Sequence, residues 1–240
     1  MSVATVVRPQ AGVTSGEGRR VPDVQPPDPF TLVIFGATGD LAARKLLPAL
    51  GSLWHRRFLP REFAIVGVSR RDKNDRAFRE DVRGAIAAFR KDLPAPTDER
   101  DGFLGHVFYQ QADFTTSDGM RGLSGRLGAL EKERRLPGHR LFYLATDPEY
   151  FEPVIEGLAA VGAVRRDVQR PWGRVVIEKP FGHDLASAVE LDQRIQRFLR
   201  PDQVYRIDHY LGERPHMILQ PAASVPGKHP RNCIIHDGPP

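Results

Sequence analysis

Six short apolar runs, separated by stretches of helical period, set the pattern of this chain. Phe30–Phe35 and Phe63–Val68 are too short for helices and carry no polar alternation, so they predict strands buried on both faces. Val107–Gln110, Leu141–Ala145, Arg174–Glu178 and Val204–Ile207 predict four more strands. Between them lie helical segments. Leu41–Arg57 reads as a helix bent or interrupted at Pro48, and Asn74–Arg90 as an amphipathic helix with Phe78, Val82, Ala85, Ile86 and Phe89 on one face. Leu123–Arg134, Pro148–Val161 and Leu185–Leu199 continue the series, the last with Leu191, Ile195 and Phe198 inward. Strand–helix alternation of this kind predicts an α/β fold: a Rossmann-like, doubly wound parallel sheet with helices on both faces.

Both ends depart from the pattern. Residues 1–28 hold Pro9, Pro22, Pro26 and Pro27 without an apolar period, which predicts a disordered leader. Residues 29–200 form the expected Rossmann domain, and 201–219 the start of a second domain. Residues 220–240 read as a Pro-rich irregular tail with the look of a foreign or frameshifted ending.

Composition narrows the field without naming a chemistry. At 40% hydrophobic and 27% charged the chain reads as globular and soluble. No run of about 18 apolar residues is present, and no secretory signal, so neither membrane nor export is expected. The single Cys233 excludes an intrachain disulfide and suits a reducing cytoplasm. A net charge of +5 comes from scattered arginines, with no basic stripe interleaved with aromatics, so nucleic acid is not an expected partner.

Three runs carry chemistry. Gly36, Gly39 and Ala42 follow the first strand and open a helix in the spacing G-x-x-G-x-x-A. Small residues there let the backbone turn tightly against a pyrophosphate, which the N–H groups of the helix start can bind. The competing reading is a tight turn without a ligand. After the second strand stands Val68-Ser69-Arg70-Arg71, where NAD-selective enzymes place a carboxylate. A guanidinium and a hydroxyl suit a 2′-phosphate, so NADP is expected over NAD. Glu178-Lys179-Pro180 puts polar groups at a strand's carboxyl end, with Lys179–Pro180 a candidate cis bond. Arg206-Ile207-Asp208-His209-Tyr210-Leu211-Gly212 adds donors suited to a phosphate dianion and a carboxylate able to orient a histidine. Taken alone, either of the last two runs reads as ordinary strand-end structure.

Together, and in this order, the three runs resemble one family. Ile34–Ala42 with Arg44-Lys45-Leu46, then Ile177–Gly182 (E-K-P-F-G) and Arg206–Gly212 (R-I-D-H-Y-L-G), are similar to the signatures of the glucose-6-phosphate dehydrogenases over about Phe30 to Gly212. The resemblance implies oxidation of D-glucose 6-phosphate to 6-phosphoglucono-lactone, with NADP as hydride acceptor, in the oxidative pentose phosphate pathway. It implies that Gly36, Ala37, Thr38, Gly39, Asp40, Leu41, Ala42 and Ala43 wrap the cofactor. Arg70 would meet the 2′-phosphate, and Asp113 with Phe114 would flank the adenosine side. Lys179 would contact both sugar and nicotinamide, His209 and Tyr210 would hold the substrate phosphate, and Asp208 would pair with a catalytic histidine base. No metal is implied.

Two departures qualify this. Glu213 stands where the family has a phosphate-binding lysine, with Arg214 beside it as a partial substitute. The family's histidine base lies in a second α+β domain, which is expected to be essentially missing here, together with the homo-oligomer contacts. His216, His229 and His236 have no matching context. The expected behaviour is therefore a chain inactive or nearly so. Two rivals remain: an NADP-binding module or non-functional fragment without catalysis, and another sugar dehydrogenase carrying E-K-P.

Overall fold

The apolar runs form six parallel strands of one sheet. A computed structural model describes residues 26–92, 102–182 and 184–207. The expected leader, apart from residues 26–28, and the expected tail lie outside the described residues, as do Asp208, His209 and Tyr210. The strands are β1 (Phe30–Phe35), β2 (Phe63–Ser69), β3 (Val107–Gln111), β4 (Arg140–Leu144), β5 (Gly173–Glu178) and β6 (Val204–Ile207). Their order across the sheet is β3-β2-β1-β4-β5-β6, and every neighbouring pair is parallel. This is the doubly wound order, which reverses direction between β1 and β4 and opens a crevice at their carboxyl ends.

Strand alternation divides the core in two. Val33 and Phe35 of β1, with Val66, Val68, Phe142, Leu144, Val175 and Ile177, face one side. There they meet α3 (Ser117–Arg134) through Leu123, Leu127 and Leu130, α4 (Phe151–Ala160) through Val154, Ile155 and Leu158, and α5 (Leu185–Ile195) through Ile195. Leu32, Ile34, Ile65 and Val176 face the other side, against α1 (Leu47–His55) and α2 (Asp75–Phe89) through Leu47, Leu50, Phe78, Val82 and Ile86. Apolar packing on both faces explains why β1 and β2 show no polar alternation.

The helix boundaries differ from the sequence reading in instructive ways. The segment expected to bend at Pro48 starts with a π-helical turn, Ala42–Leu46, and becomes α-helical as α1 with Pro48 in its first turn. Leu47 N–H bonds Ala42 O. Proline has no N–H to give and its ring crowds the preceding turn, so a widened turn just ahead of it relieves the conflict. α3 starts at Ser117, not Leu123, because the Thr116 hydroxyl accepts the Gly119 N–H at 3.1 Å and caps a polar first turn. The Pro148–Val161 segment divides into a 3₁₀ turn, Pro148–Tyr150, and α4. α5 ends at Ile195, four residues before the expected Leu199, although Leu199 is still fully buried.

Polar groups pin the base of the sheet. Arg140 donates to both oxygens of Glu131 at 2.8 and 2.7 Å, and the Thr31 hydroxyl donates to Glu131 Oε1 at 3.3 Å. Glu131 and Arg140 are nearly buried, so each needs the other. Glu131→Ala should therefore cost about 3 kcal/mol or more in a urea unfolding experiment.

His106, in a 3₁₀ turn ahead of β3, stacks on Phe63 at 4.3 Å, with Nδ1 3.0 Å from Phe63 O. Burial, the largest cause, holds its pKa below the ordinary imidazole value. The unfolded chain therefore takes up this proton first as pH falls. The stability present above the unfolded pKa is lost as pH falls toward the folded one. The melting temperature should drop between about pH 7.5 and about pH 5.5, and drop less in His106→Gln.

Candidate functional site

The turn after β1 lies at the crevice where strand order reverses. Gly36 has φ +75°, and a Cβ there would stand 2.3 Å from the Ala145 carbonyl oxygen, so only glycine fits. Gly36 and Ala37 N–H both bond Val68 O, at 3.0 and 3.2 Å, which ties the loop to β2. Gly39 N–H closes the turn on Gly36 O at 2.9 Å. Thr38, Asp40 and Leu41 N–H make no hydrogen bond among the described residues, which leaves donors at the start of a helical segment. Ala37 and Ala42 are buried, so they can offer a ligand backbone only. The Asp40 side chain is exposed, 3.7 Å from Arg44, rather than capping the helix.

Arg70 and Arg71 emerge exposed just beyond β2, whereas Ser69, the last residue of that strand, is buried. The Ser69 hydroxyl accepts from Thr38 Oγ1 at 3.0 Å and lies 2.7 Å from the Tyr109 hydroxyl. Arg71 lines, with Thr38, Lys73, Leu47, Ala85 and Phe89, a groove of about 340 Å³ between the loop and α2. Lys73 in that groove is paired with Asp81 at 2.9 Å.

Beyond β3, on the same side of the crevice, Asp113 accepts the Thr115 N–H at 3.0 Å and the Thr115 hydroxyl at 2.6 Å. These bonds, helped by the nearby Arg70 charge, hold its carboxyl below the usual carboxylate range. The Phe114 ring is buried edge-on to Phe35 at 5.5 Å and to Tyr150 at 5.8 Å. Tyr150, which the sequence reading missed, also feels the Arg70 charge; its hydrogen bond to Glu149 raises its phenol pKa. Arg70, Asp113, Phe114 and Tyr150 thus form one wall. Thr146, beside Gly36, holds a buried hydroxyl oxygen with no hydrogen-bond partner among the described residues. Free N–H donors, a lone buried hydroxyl and an exposed arginine at the reversal of strand order fit a dinucleotide phosphate chain.

The E-K-P run closes β5. Glu178 is buried and accepts from the Tyr143 hydroxyl of β4 in a short hydrogen bond. Burial first, then the Glu178 charge and hydrogen bond, raise the Tyr143 pKa far above that of a free phenol. Strand alternation turns Lys179 the other way, and it is exposed. The Lys179–Pro180 bond is cis, as expected. Gly182 has φ +126°, and a Cβ there would come within 2.6 Å of Ala188 N, so this loop packs directly on α5. Arg206 of the third run does not face the crevice: it pairs with Asp192 of α5 and lies 5.8 Å from the Phe181 ring. Register pairs Glu178 with Ile207, which sets the start of the third run, Arg206–Ile207, beside the start of the second. No helix among the described residues is long and apolar enough to cross a membrane.

The model of the glucose-6-phosphate dehydrogenase NAD binding domain matches residues 33–215. The chain belongs to the glucose-6-phosphate dehydrogenase family. Glucose-6-phosphate 1-dehydrogenase of Chlamydia muridarum is 42% identical over 187 residues, covering 77% of this chain and 37% of its own length. That of Bacillus subtilis is 40% identical over 183 residues, covering 76% and 36%. A solved glucose-6-phosphate dehydrogenase in complex with glucose 6-phosphate superposes with TM-score 0.62 at 32% identity, over 76% of this chain and 37% of its own. The Mycobacterium avium enzyme gives 0.63 at 34% identity, over 77% and 36%. The chain therefore spans little more than a third of the length of these relatives.

The Tyr143–Glu178 pair generates a prediction. Tyr143→Phe removes the donor to a buried carboxylate and should cost about 1–3 kcal/mol in chemical denaturation. The same variant should leave the ultraviolet titration of the native chain near pH ~10 unchanged, because Tyr143 does not ionise there.

Proposed function

We propose that this chain forms the NADP-binding part of an oxidoreductase that converts D-glucose 6-phosphate to 6-phosphoglucono-lactone. The observation that carries the reading is an exposed Arg70, not a carboxylate, beyond β2 and beside a loop with free N–H donors. Residues 29–200 would be the cofactor domain and 201–219 the opening of the substrate domain.

In this reading the segment from Gly36 to Ala43 cradles the pyrophosphate through its backbone, and Arg70 pairs with the 2′-phosphate. Asp113 and Phe114 flank the adenosine side. Bound NADP supplies the hydride acceptor. Lys179, exposed where Glu178 turns inward, reaches both sugar and nicotinamide. His209 and Tyr210 bind the substrate phosphate, and Asp208 orients a histidine base. Binding energy from the remote phosphate positions C1 of the sugar.

Calorimetric titration of the purified chain with NADP and with NAD tests the cofactor half. NADP should bind more tightly. Arg70→Ala should weaken NADP about 10- to 100-fold, the worth of charge-assisted bonds, and leave NAD within about threefold. Equal affinity for both dinucleotides in the wild-type chain would contradict the assignment.

A further inference from the structure

Three consecutive carbonyls, from the last residue of β2 onward, are tied to the end of β3. Ser69 O accepts from Ala112 N–H at 3.0 Å, Arg70 O from Gln111 Nε2 at 3.3 Å, and Arg71 O from the Tyr109 hydroxyl at 2.6 Å. The Tyr109 oxygen also lies 2.7 Å from Ser69 Oγ, which itself accepts from Thr38 Oγ1 at 3.0 Å and from Arg71 N–H at 3.2 Å. A phenol has one hydrogen and a serine hydroxyl has one. The Tyr109 hydroxyl faces both Ser69 O at 3.3 Å and Arg71 O at 2.6 Å, and either way its one hydrogen goes to a carbonyl, so Ser69 donates to Tyr109 and Thr38 donates to Ser69. The Ser69 hydroxyl then has no hydrogen left for a ligand.

We propose that Tyr109 is a positioning residue for dinucleotide selectivity. It fixes the Ser69–Arg71 backbone so that Arg70 and Arg71 are presented to a 2′-phosphate, with Ser69 as a relay between Tyr109 and the phosphate loop rather than a ligand. The inference rests on the NADP reading above. Tyr109 is suited to the task because it is anchored on several sides. It is buried, its ring is 5.2 Å from Phe78, and its N–H donates to Asp75 at 2.7 Å. Asp75 is held in turn by Arg126 at 2.9 Å. Arginine side chains have many rotamers, so a backbone set in advance lowers the ordering cost when they close on an anion. NAD lacks the 2′-phosphate and gains nothing from this arrangement.

The test compares dissociation constants for NADP and NAD, by calorimetry, in the wild-type chain, Tyr109→Phe, Ser69→Ala and the double variant. Tyr109→Phe should weaken NADP about threefold to tenfold, the range of a lost neutral hydrogen bond, and NAD less than about twofold. Ser69→Ala should act in the same direction and add little in the Tyr109→Phe background, since both act through one chain of bonds. If Tyr109→Phe fails to fold, Ser69→Ala decides alone by the same change in the NADP-to-NAD ratio. An unchanged ratio, or equal losses for both dinucleotides, would overturn the positioning role. A Ser69→Ala loss that stays whole in the Tyr109→Phe background would make Ser69 a direct ligand instead. A wild-type chain that prefers NADP while the variants keep its preference refutes only this inference. One that binds neither dinucleotide removes the cofactor reading and this inference together.

Discussion

The close approach of Gly36 to the Ala145 carbonyl is the constraint on which the rest of the site depends. With only 2.3 Å between that oxygen and a notional Cβ, any other residue would push β1 and β4 apart where the sheet reverses direction. The same turn sends two N–H groups to Val68 O, so loop, β1, β2 and β4 are locked at a single point. The donors left free beyond it, at Thr38, Asp40 and Leu41, are therefore fixed in space before any ligand arrives. A parallel sheet buried on both faces makes that fixation cheap, because none of its central strands can shift register without exposing apolar side chains.

Residues that look chemical in the sequence divide into those facing the crevice and those that hold its frame. Glu178 and Arg206 belong to the frame. One is buried against Tyr143, the other pairs with Asp192, and both brace the segment from which Lys179 projects. A strand end that offers a lysine to solvent must settle its neighbour inward, and a carboxylate turned inward needs a donor. The tyrosine two strand positions deep in β4 is that donor. Lys179 thus stands exposed on a strand end whose neighbouring charges, Glu178 and Arg206, are bound to the frame.

Much of the fold was legible because its signals are local. Buried strands need continuous apolar runs, and all six were placed within two residues at either end. The glycines of the loop and the cis-prolyl candidate were readable for the same reason: backbone geometry leaves a direct mark on residue choice. What stayed hidden was long-range. Nothing near Tyr109 in sequence announces that its hydroxyl meets Ser69 and Arg71, 40 and 38 residues away. Tyr150 and Thr146 sit in a segment whose partners, Phe114 and Gly36, come from the loops after other strands. The early start of α3 was missed because its first turn is held by a cap, Thr116, while its apolar face starts later.

The same distinction bears on how selectivity is built. From sequence, Ser69 and Arg70 read as two halves of one phosphate site, since hydroxyl and guanidinium are both good donors. Burial separates them. A hydroxyl that has already given its hydrogen to Tyr109 and taken two from Thr38 and Arg71 has full valence inside the protein. In the proposed NADP site, discrimination at this edge rests on charge rather than on a neutral hydrogen bond, and charge at an exposed site acts well only if it is held near its target. That requirement gives the buried relay its purpose. In that proposal the polar groups of the second and third strands serve the ligand by ordering the two arginines that would meet it.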